Sequence, residues 1–196
     1  LVVISVGLGV VLGFLVALVR LYGGPVSSRI ATGYTTFFRG TPLLCQLFLV
    51  YYGAGQFRPA LEAVGLWTFF RDAFFCAAFT FTINTAAYQA EIFRGAIASV
   101  HRGQWEAARS TGLSWAQTMI HVVVPQAARN VLPDLLSNTL EVVKLTTLAS
   151  VVAIPELLNA ARNAQALTYN ATPIVLAALM YLVLLWPVVR LISRLE

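Results

Sequence analysis

The chain has 196 residues, of which 59% are apolar and 11% are charged, whereas a soluble domain carries about 25% charged residues. A globular domain of this size still exposes roughly 30% of the surface of its unfolded chain, so it could not bury all of these apolar side chains. The composition therefore excludes an ordinary soluble domain and a disordered chain. Two cysteines are too few for a disulfide scaffold.

Four uncharged runs are each close to the ~18 residues that mark a membrane-spanning helix. They cover residues 1–19, 40–57, 73–90 and 163–189. The runs lack the strict period-2 alternation of barrel strands, so they predict helices. Because the first run has no initiator methionine, we expect the chain to begin, clipped, inside its first span.

A fifth predicted span, residues 131–154, is apolar but contains Asp134, Glu141 and Lys144. Such side chains cost about 2.5–3.5 kcal/mol each at membrane depth and usually face a bundle interior or a cavity. At 100° per residue, Asp134, Ser137, Asn138, Glu141 and Lys144 fall on one face of the helix. We expect this face to line a cavity, with Glu141 and Lys144 compensating one another at i, i+3; a structural ion pair or an interhelix contact is the alternative.

The basic residues predict how five spans are oriented. Nine arginines fall on one side of the predicted spans, and by the positive-inside rule that side is the cytoplasm. These are Arg20, Arg29, Arg39, Arg94, Arg102, Arg109, Arg129, Arg190 and Arg194. The prediction is thus an all-α, polytopic membrane protein with its N-terminus outside and its C-terminus inside. The net charge of +5 follows from this asymmetry, so no nucleic-acid partner is indicated.

The inside segment between spans three and four predicts a helix, a sharp turn and a second helix. Residues 104–111 favour helix, and Gly112 is the residue expected just past a helix end. Ser114 and Gln117 form the S-x-x-Q pattern of a capping box. Ala107 and Ala108 would let another protein approach the first helix closely.

This segment resembles a known family. Glu106-Ala107-Ala108, three residues, Gly112, nine residues and then 122–125 (VVVP) is similar to the E-A-A-x3-G-x9-I-x-L-P loop of membrane subunits of binding-protein-dependent ATP-binding cassette (ABC) importers. Val122 and Val124 replace the usual Ile and Leu. The resemblance implies a single type I permease domain over residues 1–196, with a cytoplasmic coupling loop at 101–125 that docks on an ATPase through Glu106, Ala107, Ala108, Gly112 and Pro125.

Three more stretches, 37–53, 84–97 and 138–157, resemble the polar amino acid branch of these permeases, which serves histidine, glutamine, glutamate, arginine and opines. Leu145 and Thr147 depart from the branch's fourth-span pattern. The resemblance implies an inner-membrane subunit of a bacterial importer that works with a second identical or related permease, two ATPase subunits and an outside solute-binding protein. ATP and Mg would be bound by the ATPase, and this chain has no phosphate-binding G-x-x-x-x-G-K-[ST] motif.

We therefore expect a transporter subunit and not an enzyme, with an amino acid path built from a small set of polar residues. The expected path residues are Asn84, Asn138, Glu141, Lys144, Thr146 and Thr147. Asn84 serves interhelix hydrogen bonding equally well. Alternative functions are an ion-gradient-driven amino acid carrier, which usually needs more helices or a repeat, and a membrane scaffold or sensor. His101 and His121 are not at metal-ligand spacing, so no metal site is predicted.

Overall fold

The computed structural model describes residues 1–152 and 154–193, and within these ranges the regular structure is helical throughout. The α-helices are α1 (Val2–Tyr22), α2 (Pro25–Gly40), α3 (Leu43–Gln56), α4 (Arg58–Ala63), α5 (Trp67–Phe70), α6 (Ala73–Ala98), α7 (Arg102–Ser110), α8 (Trp115–Thr118), α9 (Val124–Leu145), α10 (Leu157–Thr168) and α11 (Thr172–Ile192). A π-helical segment, Met119–Val123, joins α8 to α9, and a 3-10 segment, Thr146–Val152, follows α9.

Helices α1 and α6 form the closest pair in the fold. The buried face of α1 carries a small residue at every fourth position: Ser5, Gly9, Gly13 and Ala17. A Cβ built at Gly13 would lie 2.9 Å from Gln89 Cβ and 3.0 Å from the Ala86 carbonyl oxygen. The small residues on this face of α1 therefore let the two backbones approach closely, as is common between membrane helices.

Helix α9 packs antiparallel to α6. Near the end of α6 that leads into the following loop, Ala96 and Ile97 pack in one cluster with Val131 of α9. Nearer the start of α6, Phe81 packs in a second cluster with Val142. Between these two apolar clusters the facing surfaces of α6 and α9 are polar, and the candidate site lies there.

Three helical stretches are long and apolar enough to cross a membrane: Val2–Tyr22, Trp115–Val152 and Thr172–Arg190. They include most of the predicted first, fourth and fifth spans. Helix α6 has 26 residues, which is about 39 Å at 1.5 Å per residue, but it is less apolar. Helix α3 has 14 residues and spans only about 21 Å, short of the ~30 Å hydrocarbon core. The count of five spans therefore stays a prediction.

The part of the chain between the first two uncharged runs, residues 20–39, is mostly helical in the structure. Only Gly23 and Gly24 separate α1 from α2, and α2 then runs for 16 residues before the chain breaks at Thr41-Pro42 and continues as α3. Hydropathy did not reveal α2 because eight of its 16 residues are Ser, Thr, Arg or Tyr. Predicted span two, 40–57, thus corresponds to α3, the second of two consecutive helices that are separated by the break at Thr41-Pro42.

Two other predicted spans have different bounds in the structure. Residues 163–168 belong to α10, and Tyr169, with φ 50°, ends that helix before α11 begins. Asn170 Oδ1 accepts a 3.1 Å hydrogen bond from the Thr172 backbone N–H, so an uncharged run here contains a turn. Predicted span four, 131–154, begins within α9 and ends in the 3-10 segment, and its residue 153 lies outside the described residues.

Candidate functional site

A cavity of about 320 Å³ lies between α6 and α9. Its walls combine amide, hydroxyl and charged side chains from these two helices. The lining residues are Asn84, Thr85, Tyr88, Asn138, Glu141, Val142, Lys144 and Leu145. Four of the six residues predicted for the substrate path are therefore brought together at one place.

The α9 wall of the cavity carries polar groups that have no partner among residues 1–152 and 154–193. Asn138 is 7% exposed, and its Oδ1 accepts no hydrogen bond. Glu141 and Lys144 are exposed, and neither forms a salt bridge among those found in the described residues. The predicted Glu141–Lys144 ion pair was therefore wrong. Lys144 lies in the last turn of α9, where the negative end of the helix dipole stabilises a cation.

Asn84, on the α6 wall, also holds the break between α2 and α3. Its Nδ2 donates to the Phe38 carbonyl oxygen and to Gln46 Oε1, both at 3.0 Å. Gln46 Nε2 in turn donates to the Thr41 carbonyl oxygen at 3.1 Å. The interhelix hydrogen bonding considered for Asn84 is confirmed, and it satisfies carbonyl groups that the helix break would otherwise leave free.

Thr146 and Thr147 do not line the cavity. Their hydroxyls donate to the carbonyl oxygens of Val143 (2.6 Å) and Lys144 (2.8 Å) in the preceding turn. Thr85 and Tyr88, one and four residues after Asn84, were not predicted. Helical spacing from Asn84 could have indicated Tyr88, because positions i and i+4 share a helix face, but it gives no signal for Thr85.

Beyond Tyr88 along α6, a carboxylate meets several guanidinium groups. Glu91 Oε1 accepts a hydrogen bond from Arg94 Nε at 2.9 Å and another from Arg94 Nη2, while Glu91 Oε2 accepts from Arg20 Nη1. Arg20 also donates to Thr35 Oγ1 at 3.2 Å. Glu91 and Arg94 are one helical turn apart, a spacing at which opposite charges pair. Arg20 was missed because it is 71 residues away.

The turn in the loop after α6 has the predicted geometry. Helix α7 ends at Ser110, and Gly112 adopts φ 83°. The Ser114 Oγ accepts from Gln117 N, and the Gln117 side chain accepts from Ser114 N, so the capping box is complete. Glu106, Ala107 and Pro125 are exposed.

The expectation that both Ala107 and Ala108 are accessible to a partner protein is wrong for Ala108. It is only 7% exposed and faces the interior of this chain. The loop is attached to the bundle at two further points: Trp105 packs against the apolar cluster that contains Ile97, and the Trp115 ring makes an edge contact with Tyr22, with ring centroids 4.8 Å apart.

The two histidines have local roles. His101 Nδ1 accepts from Gly103 N at 3.1 Å at the start of α7, and His121 Nδ1 lies 3.0 Å from the Gln117 carbonyl oxygen. In the ranges 1–152 and 154–193, no three His, Cys, Asp or Glu side chains come together as a group that could hold a metal ion.

Comparison with known proteins defines the class. The family described as "Binding-protein-dependent transport system inner membrane component" matches residues 9–196. The nopaline transport system permease protein of Agrobacterium fabrum is 41% identical over 194 residues, covering 98% of this chain and 80% of the relative. The arginine ABC transporter permease protein of Haemophilus influenzae is 37% identical over 164 residues, covering 83% of this chain and 71% of the relative.

The fold agrees with this class. A crystal structure of an amino acid ABC transporter with histidines matches with a TM-score of 0.88 and 34% identity, covering 100% of this chain and 87% of that chain. The chain belongs to the family of inner membrane components of binding-protein-dependent transport systems. It is a multi-pass permease subunit of an ATP-driven importer, not an ion-gradient carrier and not itself an enzyme, so the predicted resemblance is confirmed.

Proposed function

We propose that this subunit forms the path of a polar amino acid through the membrane and that the cavity between α6 and α9 is part of that path. The relatives support the substrate class, since two of them are named for nopaline and arginine transport. An amino acid carries an ammonium and a carboxylate group at every pH near neutrality. A site for it needs groups of both signs close together.

The observation that carries the proposal is the set of unpartnered groups on the α9 wall. Glu141, Lys144 and the buried Asn138 Oδ1 all line one cavity. Glu141 and Asn138 Oδ1 can accept hydrogen bonds from an ammonium group, and Lys144 can donate to a carboxylate. Charge-assisted hydrogen bonds of this kind contribute about 1.5–3 kcal/mol each, enough to select a zwitterion over a neutral solute.

The coupling loop, residues 101–125, is the proposed contact with the ATPase. Its exposed residues Glu106, Ala107 and Pro125 and the turn at Gly112 form the docking side, while the buried Ala108 packs the first helix onto the chain. The aromatic contact between Trp115 and Tyr22 would pass a displacement of the loop to α1. We propose that residues 1–196 form one permease domain.

The complete importer would contain this subunit, a second identical or related permease, two ATPase subunits carrying ATP and Mg, and an outside solute-binding protein. Five spans enclose too little volume for a gated path in a single copy. The arginine-rich side with the coupling loop would face the cytoplasm, with the N-terminus outside and the C-terminus inside. Two permease copies in the assembled complex are the outcome expected from a mass measurement in detergent.

Charge removal in the cavity tests the substrate path. The complex would be reconstituted with Glu141→Gln, Lys144→Met or both, and amino acid uptake would be measured alongside ATPase activity without substrate. We expect the apparent affinity or selectivity for amino acids to change at least tenfold, because one charge-assisted contact is worth about 1.4 kcal/mol or more. Basal ATPase activity should be retained.

The matched control is the double variant Arg58→Met with Glu62→Gln. This pair is exposed, at 60% and 47% for the two side chains, and lies on α4, away from the cavity. It should transport with unchanged affinity. If the cavity double variant folds and takes up the same amino acids with the affinity of the unmodified complex, the polar groups on α9 are structural.

A further inference from the structure

The cluster around Glu91 contains more positive than negative charge. Arg20 and Arg94 hydrogen-bond to the two carboxylate oxygens of Glu91, and Arg39 Nη1 lies 3.9 Å from Oε2. Three guanidinium groups thus share one carboxylate, and no other carboxylate forms a salt bridge with them among the described residues. Charges held together in this way favour an anion nearby.

Arg39 is the member of this cluster whose guanidinium makes no hydrogen bond to the described residues. The distance of 3.9 Å to Glu91 is too long for a hydrogen bond, and within the described part of the chain its guanidinium makes no other. Its side chain is 43% exposed, against 16% for Arg20. A guanidinium has five N–H donors in a planar fork that matches a carboxylate or a phosphate.

Arg39 is also next to the cavity. Its guanidinium carbon lies 5.5 Å from the centre of the Tyr88 ring, and Tyr88 is a cavity-lining residue. On α6, Asn84, Tyr88 and Glu91 follow one another at helical spacing on one face. Arg39 therefore lies beside the Tyr88 edge of the cavity, which is the edge nearer the coupling loop along α6.

We propose that Arg39 forms an anion subsite at the coupling-loop end of the cavity and receives the carboxylate of the amino acid as it leaves the contacts on α9. The inference rests on the proposed function, because it needs a carboxylate-bearing substrate in the cavity. A carboxylate that leaves Lys144 would lose its cation in a low-dielectric surrounding, which is costly. Arg39 supplies a second cation, and a lipid phosphate would offer it the same chemistry.

The test uses the reconstituted complex with ATP and saturating loaded binding protein. Uptake rates would be measured for Arg39→Gln, Arg39→Lys and Arg29→Gln in vesicles of phosphatidylcholine alone and in vesicles that also contain phosphatidylglycerol. Arg29 is an exposed arginine on the same helix and serves as the matched control. We expect Arg39→Gln to lower the maximal uptake rate about tenfold in both kinds of vesicle, with Arg39→Lys in between and Arg29→Gln unchanged.

Each other outcome overturns the inference in a distinct way. A defect of Arg39→Gln confined to vesicles with phosphatidylglycerol assigns the site to a lipid headgroup. Uptake by Arg39→Gln equal to that of the unmodified complex removes the subsite. If Arg39→Gln does not assemble, Arg39→Lys decides. An intermediate rate supports the subsite, because an ammonium keeps the charge but lacks the planar fork, and a full rate overturns a subsite that depends on the guanidinium. Failure of the unmodified complex to take up any amino acid would instead reject the proposed function.

Discussion

Helix α6 meets α1 on one face and borders the cavity with α9 on another, and the two faces use polar residues differently. Toward α1, Gln89 is fully buried and neither of its amide atoms has a hydrogen-bond partner. A Cβ at Gly9 would lie 2.9 Å from its Oε1. That interface is held by close packing. Toward α9, Asn138 Oδ1 is also without a partner, but it borders open space.

This comparison indicates that one side of α6 serves the stability of the fold and the other side serves transport. The α1 face tolerates no added atom, so its residues are constrained by shape. The α9 face leaves room and keeps groups of both signs accessible, so its residues are constrained by chemistry. Substitutions on the first face should therefore change stability, and substitutions on the second should change uptake.

The largest effect is expected for Gly13→Leu. A Cβ at Gly13 meets the backbone of α6 at 3.0 Å, and backbone cannot rotate away, so we expect a loss of about 3 kcal/mol, at the upper end for overpacking. Gly7 is the matched control, because a Cβ there has nothing within 4 Å. The thermal unfolding midpoint of the purified complex should fall for Gly13→Leu and stay unchanged for Gly7→Leu. Equal midpoints would mean that α1 and α6 are not closely packed.

A smaller loss is expected for Glu91→Gln, which lies at the edge between the two faces. The change leaves Arg20 and Arg94 without their carboxylate, and we expect a cost of about 1–3 kcal/mol, the range for hydrogen bonds to charged groups. The control is Glu62→Gln, whose exposed i, i+4 pair with Arg58 should be worth only about 0.2–1 kcal/mol. A comparable fall in the unfolding midpoint for both variants would show that Glu91 does not join the helices.

Local signals explain which parts of the fold could be predicted. The turn at Gly112 and the capping box at Ser114 depend on residues within a few positions of one another, and both have the predicted geometry. Helix α2 was missed because it is polar and because its hydrogen bonds, such as that from Asn84 to the Phe38 carbonyl oxygen, connect residues 46 positions apart. Sequence spacing does not reveal such contacts.

The cavity residues on α9 could be predicted because they are close in sequence, whereas Tyr88 on the facing helix was not predicted. Asn138, Glu141 and Lys144 lie on one helix, so helical periodicity placed them together, and the structure does the same. The predicted ion pair between Glu141 and Lys144 is not among the salt bridges of the described residues, because i, i+3 spacing allows such a pair but does not require it. Tyr88 belongs to the facing helix, and only the packing of α6 on α9 brings it to the cavity.

The variant Gly112→Val tests whether the glycine in the coupling-loop turn is needed for its positive φ, in contrast to Gly13, which is needed because there is no space for a side chain. No atom lies within 4 Å of a Cβ at Gly112, but φ is +83°, so a β-branched residue should cost about 1 kcal/mol or more through backbone strain. We expect assembly to survive and stimulation of the ATPase by loaded binding protein to fall. Gly112→Asn, which tolerates positive φ, should retain most of the stimulation. Full stimulation with valine would argue against a coupling role for the turn.

The smallest effect on stability is expected for Asn138→Leu. Because Asn138 Oδ1 has no hydrogen-bond partner, its removal leaves no donor unsatisfied, and a side chain of similar size should keep the unfolding free energy within about 0.5 kcal/mol. Asn84→Leu is the contrast: it deletes two 3.0 Å hydrogen bonds and should cost about 1–2 kcal/mol. Uptake should respond the other way, with Asn138→Leu weakening apparent amino acid affinity although the protein is as stable as before. A marked loss of stability in Asn138→Leu, with affinity unchanged, would show that Asn138 serves packing between α9 and α6. The side of α6 that faces α9 would then not differ in role from the side that faces α1.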